Sequence, residues 1–141
     1  MNIIETITTK DDKEAYEEVK KILSISKESD EYYQYLSEFA KLLDDEKSYV
    51  RTRAFLLICA QTKWDKEKKI KTILFEMLKL FHDEKPTVVR QCLKAIKEVL
   101  VYLPDSKKMI VDEIEKIDLR LYKDSMAPLI KKDIEDLMKN I

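Results

Sequence analysis

Apolar residues recur along this chain at the three- and four-residue intervals of an α-helix, in seven stretches separated by short polar breaks. The first stretch, from about Asp11 to Ile25, carries Ala15, Val19, Ile22 and Leu23 on one stripe, and Thr9 ahead of it is a candidate N-cap. The second begins at Ser29 or Asp30 and reaches about Leu43. Ser48 is the expected N-cap of the third, which runs to about Gln61, and Asp65 that of the fourth, which runs to about Phe81. Pro86 suits the first turn of the fifth, which continues to about Leu103. Pro104 and Asp105 start the sixth, to about Leu119. Pro128 lies in the first turn of the seventh, which runs to the last residue.

The width of each stripe orders these helices in space. The third helix is apolar on several sides, with Tyr49, Val50, Ala54 and the run Phe55 to Cys59; the fifth is similar, with Val88, Val89, Cys92, Leu93, Ile96 and Val99. Helices apolar nearly all round are covered on more than one face. The first and last helices are one-sided. A row of stacked helical pairs needs that arrangement, with polar outer faces at its ends and none in its middle.

A repeated corner points the same way. Asp44-Asp45-Glu46-Lys47-Ser48-Tyr49-Val50-Arg51 returns as Asp83-Glu84-Lys85-Pro86-Thr87-Val88-Val89-Arg90, the two Val-Arg pairs lying 39 residues apart. A weaker third copy spans Asp124 to Lys131. A repeat of that period predicts stacked helical hairpins. Residues 1–141 then form one domain, with a capping helix over 11–25 and helical pairs over 30–61, 65–103 and 105–141.

The segment Phe39 to Ala54, with its acidic corner followed by Val50-Arg51, resembles a HEAT repeat, and Leu78 to Arg90 is a second good match. The resemblance implies an all-α fold of the armadillo-like class, a short right-handed α-α superhelix of about three hairpins plus the N-terminal capping helix. It also implies a turn ladder in which Asp44, Asp45, Asp83 and Glu84 bond to Arg51, Arg90 or backbone amides, within or between repeats. Second helices of such a stack line a concave surface that mostly holds other proteins. A non-enzymatic scaffold or adaptor for a protein partner is therefore the leading expectation. Some HEAT-like solenoids are DNA glycosylases for alkylated bases, so nucleic-acid binding is the alternative. A third reading is a subunit that completes a larger helical assembly.

Composition narrows the chemistry. Glycine is absent, where average usage of about 7% would give roughly ten, so no glycine-rich phosphate loop exists. The net charge of −1 is unevenly spread: residues 1–50 carry 13 acids and 7 bases, residues 51–100 carry 6 acids and 12 bases. Arg90, Lys94 and Lys97 share one helical stripe, Arg53 lies near the matching place on the third helix, and Lys68 and Lys71 belong to a lysine-rich run after Lys63. These six residues are the candidate basic surface for an acidic partner or for phosphate groups; a solvated helix face is the plain reading. Trp64 is a candidate aromatic contact, or a packing anchor. Of Tyr32, Tyr33 and Tyr35, at least one should be exposed.

One histidine, His82, excludes histidine-rich metal sites, and Cys59 and Cys92 in apolar runs should be inert thiols. No catalytic arrangement, metal or cofactor is expected. The cysteine usage suits a reduced, cytoplasmic compartment. Met1 to Glu5 lacks the pattern of a signal peptide, and the longest apolar run, Ala54 to Ala60 by the same reading, is too short to span a bilayer.

Overall fold

The computed structural model describes residues 2–141. Nine α-helices with intervening 3-10 turns account for the regular structure of the described residues, and no strand occurs among them. In chain order they are α1 (Ile3–Thr8), α2 (Asp12–Ser26), α3 (Leu36–Lys41), α4 (Ser48–Gln61), α5 (Lys69–Leu78), α6 (Pro86–Ala95), α7 (Lys97–Tyr102), α8 (Lys107–Glu115) and α9 (Ala127–Lys139). The fold is the all-α stack of helical hairpins that the repeated corner predicts.

The helices form two rows. The second members of the hairpins, α4, α6 and α9, lie side by side, and α2 packs against α4 in the same row. Among the described residues the most extensive helix-to-helix packing is α4 on α6 and α6 on α9. Being in the middle, α4 buries Val50, Ala54, Phe55 and the consecutive residues Leu57, Ile58 and Cys59, which no single stripe could include. The other row holds the short helices α1, α3, α5 and α8. Two of these are prolonged by 3-10 turns, Leu42–Asp44 after α3 and Lys79–His82 after α5. Between the rows lies the core, where Phe39, Phe55 and Phe81 are fully buried and the rings of Phe55 and Phe81 stand 6.3 Å apart.

Several boundaries differ from the sequence reading, each for a local reason. Helix α1 lies ahead of the expected capping helix, so the N-terminal cap is two helices packed together. Asn2 starts α1 by accepting the Glu5 N–H at 2.9 Å, and Ile7 anchors it in the core. Six residues are too few to show a periodic stripe. Asp11, rather than Thr9, caps α2 through the Glu14 N–H. The second helix begins late, after a 3-10 turn over Tyr33–Tyr35. All three tyrosines there are half-buried: Tyr32 and Tyr35 adjoin each other, while Tyr33 turns away to the next hairpin. The fifth helix is marked at Ile96 only by a local change in bonding: Ile96 keeps helical dihedrals, and the Ile96 and Leu100 N–H groups bond the Cys92 and Ile96 carbonyls, so α7 continues α6.

Asp65 governs the entry to α5 from outside it. Its buried carboxylate accepts the Lys69 N–H at 2.9 Å, the Ile70 N–H at 2.8 Å and the Tyr33 hydroxyl at 2.6 Å. Those bonds satisfy two amides that a helix start leaves unpaired. In the connecting loop Lys68 has φ 59°, the single positive-φ residue among those described. Glycine would take that conformation without a Cβ clash, and this chain has none.

Candidate functional site

The surface of the second-helix row carries a groove. Its floor is α4, its walls are α2 on one side and α6 with α7 on the other. Two depressions, of about 430 and 560 Å³, share Leu23 and Leu56 in their linings and so adjoin one another. The first lies over the N-terminal halves of the helices, between Tyr16, Val19 and Lys20 on α2, Tyr49 and Arg53 on α4, and Thr87 and Gln91 on α6. The second lies over the C-terminal halves, where Lys27, Lys63, Lys94 and Lys97 surround Ala60, Ala95 and Tyr102. Asp12 and Glu98 are the acids in the lining.

The residues proposed from sequence for a basic surface do not act as one group. Arg53, Lys94 and Lys97 line the groove, whereas Lys68 and Lys71, at the start of α5, line neither depression. Arg53 is also committed elsewhere. Its guanidinium donates to the Ile7 and Thr9 carbonyls at 3.0 and 2.7 Å and to Asp12 at 3.0 Å, and it lies over the Tyr49 ring at 4.7 Å. It braces α4 against the α1–α2 connection. Arg90 is turned away from the groove into a pair with Asp133 of α9 at 2.6 Å, a bond that raises its already high pKa further.

The corner residues form ties between hairpins. Arg51 makes a two-point fork to Asp83 of the next corner, at 2.9 and 3.1 Å, and also donates to the Asp45 carbonyl. Asp45 and Asp83 each accept the N–H two residues on, from Lys47 and Lys85, both at 2.9 Å. Asp44 stands exposed beside this network. The two corners are thus related by 38 residues and the arginines by 39. Arg90 sits one residue deeper in its helix than Arg51, about 100° further round, and its fork meets Asp133 on α9 instead of a corner acid. In the third corner Asp124 is exposed.

Trp64 is half-buried, and its indole N–H donates to the Ser26 carbonyl at the end of α2, at 2.7 Å. The Lys63 ammonium donates to the adjacent Lys27 carbonyl and lies 4.9 Å from the Trp64 ring centre. Both bonds satisfy carbonyls that a helix end leaves open. Cys59 contributes to the wall of the second depression, and burial pushes its thiol well above the ordinary range, with Glu98 adding to the rise. It is a neutral packing group there. His82 bonds Glu113 of α8 at 2.6 Å. No cluster of three or more metal-ligating side chains occurs among the described residues, and no helix of the described residues is long and apolar enough to cross a membrane.

Sequence reasoning missed Tyr16, Lys20, Leu56 and Tyr49 as groove residues. The spacing of Tyr16, Lys20 and Leu23 is helical, but only the neighbouring α4 shows that this side of α2 borders a recess. A family model described as "Stalled ribosome sensor GCN1-like, HEAT repeats" matches residues 1–124. No curated protein and no solved structure matches the chain. With most of its length covered by that match, and with its corners and paired helices in place, the chain belongs to the GCN1-like HEAT-repeat family.

Proposed function

We propose that this protein is a non-enzymatic interaction scaffold that holds a protein partner in the groove of α2, α4 and α6. The carrying observation is that the two depressions adjoin at Leu23 and Leu56, which gives the row a recessed face with an apolar floor and a polar rim. Recesses of that make-up suit a partner's apolar side chains at the centre and its polar groups at the edge. The family's description names stalled-ribosome sensors, which makes the translation machinery the first place to seek the partner. Nucleic-acid binding has less support. Trp64 and Asp65, the adjacent aromatic and carboxylate, line neither depression, and the Asp65 carboxylate is occupied by two amides and a tyrosine.

The test is site-directed photo-crosslinking in the source cell. A photoreactive residue at position 16, in the groove, is expected to yield a protein adduct that the groove-floor variant Leu56→Asp removes. The same group at position 75, on the other row, is expected to yield none. Equal adducts from both positions would overturn the reading.

A further inference from the structure

We infer that the groove is polarised along its length and takes an acidic protein segment, apolar at one end and carboxylate-rich at the other. The inference rests on the scaffold reading and specifies the partner's chemistry. The first depression offers an aromatic and aliphatic surface: Tyr16 is 66% exposed, and Leu23, Tyr49 and Leu56 stand beside it. Its two cations are engaged, Lys20 beside the Tyr16 ring at 5.9 Å and Arg53 on carbonyls and Asp12. Charge therefore contributes little at that end.

The second depression is different. Lys27, Lys63, Lys94 and Lys97 face Glu98; Lys63 is held by the Lys27 carbonyl and the Trp64 ring, and among the described residues none of the four lies within ion-pair distance of a carboxylate. Most other lysines of the described residues also lack such a partner; the recess differs in bringing four of them together around one carboxylate. Part of the excess answers the carbonyl ends of α2 and α4, each equivalent to roughly half a negative charge. With those ends and Glu98 counted, about two positive charges remain uncompensated in the recess, where low-dielectric walls focus their field. A segment with carboxylates at this end supplies the missing charge.

The dimensions fit one short segment. Helix α4 has 14 residues, so the floor is about 21 Å long at 1.5 Å per residue. That is the length of about four helical turns or about six extended residues. The helices of the second row that border the groove run in the same direction, since each presents its N-terminal half to the first depression and its C-terminal half to the second.

The experiment is selection of random 16-residue displayed peptides on the immobilised whole chain, keeping those that the Leu56→Asp variant fails to retain. The expected pool is rich in Asp and Glu at one end and in Leu, Phe or Tyr at the other. The double variant Lys94→Glu/Lys97→Glu, folded by circular dichroism, is expected to weaken a selected peptide by about tenfold or more at low salt, less at high salt. Tyr49→Ala is expected to weaken the same peptide without altering its salt dependence. A groove-bound pool with no acidic excess, or with acids and apolar residues intermixed, would overturn the inference and leave the scaffold reading standing. Tighter binding of a 16-nucleotide single strand than of any selected peptide would also overturn it. Failure to select any groove-dependent peptide would remove the scaffold reading itself.

Discussion

In the second-helix row, α4 packs directly on α6 and α6 on α9, and arginine forks join each to the next hairpin. In the first-helix row, α3 and α5 border a depression of about 320 Å³ lined by Tyr33, Leu36, Ala40, Lys69 and Ile73, and α5 reaches α8 through the His82–Glu113 contact. The rows differ in closeness more than in residue type. The groove lies in the closely packed row, with Arg53 fixing one end and Trp64 with Lys63 fixing the other. The looser row carries exposed apolar residues such as Phe75 and Met109, at 65% and 42% exposure.

The sharpest contrast between the rows should come from two phenylalanines. Phe55 of α4 is fully buried, so Phe55→Ala should cost about 3–5 kcal/mol in urea unfolding. Phe75→Ala on α5 should stay within about 0.5 kcal/mol. Comparable losses would mean that the open row is not open in solution.

Next come the ties. Arg51→Ala strips the partner from an Asp83 carboxylate whose side chain is only 7% exposed, and should cost about 2–3 kcal/mol by the same measurement. His82→Ala on the open row should cost under about 1 kcal/mol, because its pair with Glu113 is solvent-screened. The His82 bond, the largest cause, holds the Glu113 carboxyl below its ordinary 4.5. A carboxyl lowered in the folded state binds fewer protons there than in the unfolded chain. Its contribution is present above pH 4.5 and fades as the pH falls through the lower folded value. The difference between wild type and His82→Ala should shrink over that acid range.

The smallest effect is a gain. Lys68→Gly relieves the left-handed strain ahead of α5 and should raise stability by about 0.5–1 kcal/mol in thermal unfolding, net of the added freedom of the unfolded chain. A loss would show that the Lys68 side chain contributes more than its backbone costs.

The fold was legible where the signal repeats or runs long. The bounds of α4, Ser48 to Gln61, follow from an acidic corner at one end and a polar break at the other, although Ser48, expected as the N-cap, is the first helical residue and Lys47 holds the cap position. Helix α1 was not legible, since its anchoring depends on Ile7 reaching a core built from distant residues. The candidate site was legible only in part. Lys94 and Lys97 could be placed on a basic stripe, but Arg90, one turn earlier, is claimed by Asp133 of a helix 43 positions away. No spacing rule gives the destination of an arginine fork across hairpins. Tyr16 and Tyr49 were equally hidden, because two tyrosines on separate helices become one surface only when α2 and α4 pack in parallel.

The placement of Trp64 supplies an optical readout at no cost in labelling. As the sole indole in the chain it accounts for nearly all emission excited at the red edge, and its ring lies under the Lys63 ammonium that borders the lysine-lined recess. An arriving carboxylate that draws Lys63 away would change both the local field on the chromophore and its quenching. Occupancy of the recess can then be followed as a fluorescence titration of the unmodified protein, on the millisecond scale of a stopped-flow instrument.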